Sequence, residues 1–73
     1  MRKHIEIYSK ENCSYCQNAK QLLKEYDPVV LMLDKDFKRE EFFELFPDAR
    51  SFPQIVVNGR HIGTYHDAKK LFS

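Results

Sequence analysis

The chain has 73 residues, 42% of them hydrophobic and 32% charged, a balance that excludes a disordered tail and a polytopic membrane protein. Lys and Arg total 12 against 11 Asp and Glu, without the basic face of a dedicated nucleic-acid binder. Residues 1–6 lack the apolar core of a signal peptide, and the longest aliphatic run, Val29 to Leu33, is far too short to span a bilayer. The expectation is a single cytoplasmic domain over residues 1–73, with no nucleic-acid or membrane partner.

His4-Ile5-Glu6-Ile7-Tyr8 alternates polar and apolar residues, the period of a half-buried strand. A helical pattern then begins at the cysteines. Cys16, Ala19, Leu23 and Tyr26 form one stripe, and Asn18, Lys20, Gln21, Lys24 and Glu25 fill most of the solvated face. Asp27-Pro28 ends it, since a residue before proline avoids the helical region. Val29 to Leu33 is continuously apolar and reads as a strand buried on both faces. Strand, helix and strand make a right-handed crossover with parallel strands. A second helix is predicted over Phe37 to Phe46, stopped by Pro47. Gln54 to Val57 and Arg60 to Ile62 flank Asn58-Gly59, a two-residue hairpin signal that makes the last strand antiparallel. Thr64-x-x-Asp67 has the form of a capping box before a short final helix. The predicted order is β-α-β-α-β-β-α.

The two cysteines stand at Cys13-Ser14-Tyr15-Cys16, where a strand hands over to a helix. In a reducing compartment a structural bridge is not expected. A bond between them would close so short a loop that it contributes only about 2 kcal/mol before strain. Zinc needs four ligands, and His4, His61 and His66 show no paired spacing to complete a set. Two inert core cysteines are the remaining bland reading, but CxxC beside a strand–helix–strand pattern is a specific redox signal. At a helix N-terminus, unpaired N–H groups and the positive end of the dipole favour a thiolate. Cys13, the more N-terminal, is therefore the expected nucleophile, with Lys10 as a nearby cation and Glu11 opposing it slightly. Cys16, one turn in, is the expected resolving thiol.

Three segments in order resemble the glutaredoxin family. Tyr8-Ser9-Lys10-x-x-Cys13-Ser14-Tyr15-Cys16 is similar to its active-site segment, with Ser14 where proline is commonest. Ser51-Phe52-Pro53-Gln54 is similar to its Thr-Val-Pro stretch, and Asn58-Gly59-x-His61-Ile62-Gly63 to the hairpin that follows. Thioredoxins carry Trp before their cysteines and Gly-Pro between them, and this chain has no Trp. The resemblance implies a minimal thioredoxin fold of class α/β, a four-stranded mixed sheet with helices on both faces. It implies a cis proline at Pro53 facing the cysteines, and glutathione as co-substrate. Carried over by position, Lys10 and Arg39 would face the glycine carboxylate of the tripeptide, and Tyr15 would flank the sulfur. The backbone of Phe52, before Pro53, would pair with the cysteinyl unit. Thr64, Tyr65 and His66, at the start of the last helix, would receive the γ-glutamyl carboxylate. Here Thr64 replaces the second glycine of the family's pair, and His66 stands where an acidic or hydroxyl residue is usual. Arg50, His4 and His61 read as surface or strand residues rather than ligands.

The implied activity is reduction of protein disulfides and glutathione mixed disulfides by a monomer, with ribonucleotide reductase among the conceivable partners. Two other readings stay open. One is a dimer bridged by a glutathione-assisted [2Fe–2S] cluster held through Cys13. The other is an electron donor reduced by a flavoprotein reductase.

Overall fold

The alternation at the start of the chain becomes strand β1, Ile5–Ser9, in which Ile5, Ile7 and Ser9 are buried while Glu6 and Tyr8 are half-buried. The computed structural model describes residues 3–72; Met1, Arg2 and Ser73 lie outside them. β1 is central, paired in parallel with β2, Val29–Met32, and antiparallel with β3, Gln54–Val57. The hairpin partner β4, Arg60–Gly63, completes a four-stranded mixed sheet of order β2-β1-β3-β4. Asn58 and Gly59 hold φ of 51° and 81°, the left-handed pair that a tight two-residue hairpin requires. The Asn58 side-chain oxygen also accepts from His4 N–H at 2.8 Å, tying the hairpin to the approach to β1.

Helix α1, Ser14–Leu22, and helix α3, Tyr65–Phe72, pack on one face of the sheet. Ile5, Ile7, Ala19, Leu23, Ile55 and Ala68 form that core, as the Cys16–Ala19–Leu23 stripe predicted. The stripe outlasts the α-helix, since Lys24–Tyr26 is a 3-10 turn and Asp27 leaves it at φ 52°. Helix α2, Arg39–Leu45, covers the opposite face, where Phe42 and Phe46 pack with Phe37 and Val56. Among the described residues no helix is long and apolar enough to cross a membrane.

Two expectations are corrected. β2 is an edge strand rather than one buried on both faces: it pairs with β1 alone, and Val29 is 43% exposed. A continuous apolar run fixes how much of a strand wants cover, but not its place in the sheet. α2 begins two residues later than predicted. Phe37 forms an isolated parallel bridge with Leu33 and sends its ring into the core, and Lys38 caps the helix with an extended backbone. Glu41 accepts from Lys38 N–H at 2.9 Å, which starts the helix where acidic residues suit its dipole.

Candidate active site

Cys13 occupies the N-cap of α1, with extended backbone at φ −126° and ψ 105°, after Asn12 turns the chain at φ 56°. Its sulfur accepts from Cys16 N–H at 3.2 Å, and its carbonyl accepts from Gln17 N–H at the same distance. A cap position normally holds a hydroxyl or carboxylate. Here the acceptor is sulfur. Cys13 and Cys16 are disulfide-bonded, with Cα atoms 5.2 Å apart. Their environments differ sharply: Cys16 is fully buried on the apolar face of α1, whereas Cys13 is partly open to solvent. An incoming sulfur can reach only the outer member of the pair.

Opposite the cysteines, the Phe52–Pro53 peptide bond is cis, as the family resemblance implied. The Phe52 carbonyl oxygen stands 3.8 Å from Cys13 Sγ. A groove of about 150 Å³ opens beside this contact, lined by Tyr15, Ser51, Phe52, Pro53, Thr64, Tyr65 and His66. The structure therefore gathers six of the eight residues assigned to glutathione. At one end Tyr15 stacks on Tyr65 with centroids 5.9 Å apart and meets the His66 ring edge-on at 5.0 Å. These contacts join the N-terminal turns of α1 and α3.

The α3 end of the groove carries a negative charge of its own. Asp67 accepts from Thr64 N–H at 2.9 Å, which is one half of the predicted capping box. It also accepts from the Thr64 hydroxyl at 3.2 Å, so the hydroxyl donates to the carboxylate where the box would have it accept. The backbone hydrogen bond, aided by the hydroxyl, Lys70 and His66, holds the Asp67 carboxyl below its ordinary range. Gly63 leaves room for it: φ is +118°, and a Cβ built there would overlap the Asp67 carboxylate. This is a physical reason for glycine at 63 that the motif alone did not reveal.

Lys10 and Arg39 lie outside the groove lining. Lys10 Nζ sits 5.6 Å from the centroid of the Phe52 ring, and Lys10 borders a separate cleft with Glu11, Leu33, Asp34 and Lys35. Arg39 is exposed at the start of α2. Tyr8, part of the motif before the cysteines, turns to the α2 face and packs edge-on against Phe37 and Phe46. Burial there, with Glu6 adding, raises its phenol above the ordinary value. Two contributors went unassigned at the sequence level, Ser51 in the groove wall and Gln54 behind it, although both stand in the quoted Ser51-Phe52-Pro53-Gln54 motif.

The family model described as Glutaredoxin matches residues 5–62, a span that includes the cysteines, the cis proline and most of the sheet. The chain belongs to the glutaredoxin family. Glutaredoxin 3 of Escherichia coli (strain K12) is 37% identical over 71 residues, covering 93% of this chain and 84% of that protein. Among solved structures, glutaredoxin 1 from Francisella tularensis, complexed with cacodylate, superposes with a TM-score of 0.77. It is 25% identical, and the match covers 93% of this chain and 90% of that one. A buckwheat glutaredoxin–glutathione complex shares the fold, with a TM-score of 0.76 at 20% identity over 93% of this chain and 66% of the other. The chain spans about half the length of several longer relatives, including Glutaredoxin-C4 of Arabidopsis thaliana. As a glutaredoxin it carries the paired-cysteine motif at Cys13 and Cys16 on a thioredoxin fold.

Proposed function

We propose that this glutaredoxin is a glutathione-dependent thiol–disulfide oxidoreductase acting on protein disulfides and glutathione mixed disulfides. The observation that carries this reading is the asymmetry of the pair. An accessible Cys13 sulfur accepts a helix N–H, while Cys16 is buried directly behind it.

In the reduced protein the Cys13 thiolate attacks one sulfur of a substrate disulfide. The S–S bond breaks, the leaving thiolate takes a proton, and a mixed disulfide forms on Cys13. The Cys16 thiolate then attacks Cys13 Sγ, releasing the second substrate thiol and closing the Cys13–Cys16 disulfide. Two electrons have passed to the substrate. One glutathione thiolate reopens the pair by bonding to Cys13. A second attacks the glutathione sulfur, leaving as oxidised glutathione and restoring both thiols. A glutathionylated protein needs only the outer sulfur, which takes glutathione from the substrate and passes it to another glutathione.

The groove supports glutathione as the reductant. It runs from Phe52, whose backbone can pair with an extended peptide, to the start of α3. Tyr15 would flank the reacting sulfur, and the N–H groups of Tyr65 and His66 would meet a carboxylate. The buckwheat relative was solved with this tripeptide. No observation favours the bridged-cluster reading over this one.

The deciding assay is turnover of a small glutathione mixed disulfide with glutathione as sole reductant. Sustained turnover is expected. Activity only when a flavoprotein reductase and its nicotinamide donor are supplied would replace glutathione with that reductase in the scheme.

A further inference from the structure

The groove wall is braced from behind by two side chains that the disulfide chemistry does not use. Gln54 opens β3 and is only 3% exposed. Its Nε2 donates to the Ser51 carbonyl at 2.8 Å, and its Oε1 lies 2.7 Å from His61 Nε2. A carbonyl oxygen can only accept, so the Ser51 contact fixes which way the Gln54 amide points. Its oxygen is then committed to His61, and an amide oxygen has no proton to give. His61 must supply the proton from Nε2, in the neutral ring as well as in the charged one. The Phe46 ring, 4.4 Å from the His61 ring between centroids, limits how the imidazole can turn.

We propose that Gln54 and His61 are a positioning pair that holds the Ser51–Pro53 segment, and with it the Phe52 backbone, at the spacing from Cys13 that substrate docking requires. Pro53 has no N–H with which to anchor this stretch. The tie through Ser51 supplies an anchor, on the residue directly before Phe52, whose carbonyl reaches within 3.8 Å of Cys13 Sγ. His61, exposed on β4, secures the far end of the amide, so a residue outside the groove sets its shape.

The inference rests on the proposed glutathione-dependent turnover, and the test separates the two. His61→Phe keeps a ring against Phe46 and removes the donor. Its KM for a glutathionylated peptide should rise about fivefold with kcat little changed, as for one lost hydrogen bond. His61→Gln, whose amide N–H reaches the position of Nε2, should restore most of the loss. Gln54→Met should raise KM at least as much, and adding His61→Phe to it should change nothing further. The rate of Cys13 alkylation by iodoacetamide should be equal in all four. Additive effects, an unchanged KM in His61→Phe, or alkylation falling in step with turnover would overturn the positioning role. Absence of turnover in the unaltered chain would instead overturn the proposed function. The pair can then still be read from imidazole nitrogen shifts, which should report an Nε2–H tautomer that Gln54→Met relaxes. An Nδ1–H tautomer would overturn the inference by itself.

Discussion

The ammonium group of Lys10 stands 5.6 Å above the ring of Phe52, the residue whose carbonyl oxygen lies 3.8 Å from Cys13 Sγ. One residue thus sets the groove backbone beside the sulfur and holds a cation near its rim. The opposite demands on Phe52 are met from the α2 side, where its ring stacks on Phe42 with centroids 4.5 Å apart. Lys10→Ala should raise KM for a glutathionylated substrate about threefold with a smaller change in kcat, the range of an exposed charge contact. Phe52→Val, which removes the surface under the ammonium, should reproduce part of that increase. Arg39→Ala should change KM less than Lys10→Ala, because Lys10 stands over the ring of a groove residue, Phe52, whereas Arg39 is exposed at the start of α2. Steady-state kinetics on the three variants checks the order, and a larger effect at Arg39 would move the carboxylate site to α2.

The two sulfurs should separate cleanly by function. Cys13→Ser should abolish all turnover, since a hydroxyl at neutral pH is a negligible nucleophile toward sulfur. Cys16→Ser should keep deglutathionylation and lose most protein-disulfide reduction, which needs an internal resolving thiol. In the reduced protein, iodoacetamide at mildly acid pH should label Cys13 first, as mass spectrometry of the peptides would show. Faster labelling at the buried Cys16 would reverse the assignment.

Asp67 gives the stability of the chain a pH signature. Its carboxyl is held below the ordinary value of 3.8, first by the Thr64 N–H. A depressed folded-state value means that the contribution is present above the unfolded value and is lost as pH falls through the folded one. Asp67→Asn should therefore destabilise the protein at pH 7 by about 0.5 kcal/mol, as expected for an exposed charge at a helix start. The difference between variant and parent should shrink below pH 4 in urea titrations. A difference that stayed constant down to pH 2 would mean that the charge is not what stabilises the cap.

Gly63 and Gly59 both have positive φ, yet they should respond differently to substitution. Gly63→Ala meets the Asp67 carboxylate as well as an unfavourable backbone, and should cost about 2 kcal/mol or more. Gly59→Asn has open space and a backbone that asparagine accepts at φ 81°, and should cost clearly less. Denaturant midpoints of the two variants decide it, equal losses being the contrary result.

Much of this architecture is legible in the residues, and the exceptions have physical causes. The Ile5–Ile7 alternation, the Cys16–Ala19–Leu23 stripe and the Asn58-Gly59 turn each encode a local geometry, and each is found. Val29 to Leu33 misleads because strand position depends on which partners assemble around it. Phe37 misleads because a buried aromatic suits a helix flank and a loop anchor equally. In the site, Cys13, Cys16 and the groove from Tyr15 to His66 follow from motif and order. The orientation of Lys10 does not, since a flexible cation goes where a ring happens to face it. His61 reads as a plain strand residue from sequence, for its role depends on Gln54 seven positions earlier in the chain, across the hairpin.

A helix capped by sulfur is a helix whose stability depends on the oxidation and protonation of that sulfur. The Cys16 N–H that reaches Cys13 Sγ meets a weak acceptor in the disulfide and a full anion in the thiolate. By reciprocity, whatever that bond contributes to keeping the proton off Cys13, the same bond returns as firmness in the first turn of α1. Alkylation of Cys13 removes the anion and should loosen the turn, while Ala19 and Leu23 keep the rest of the helix seated. The backbone amide of Cys16 is thus an internal redox indicator: its exchange with solvent should slow when the thiolate forms and quicken when that charge is lost.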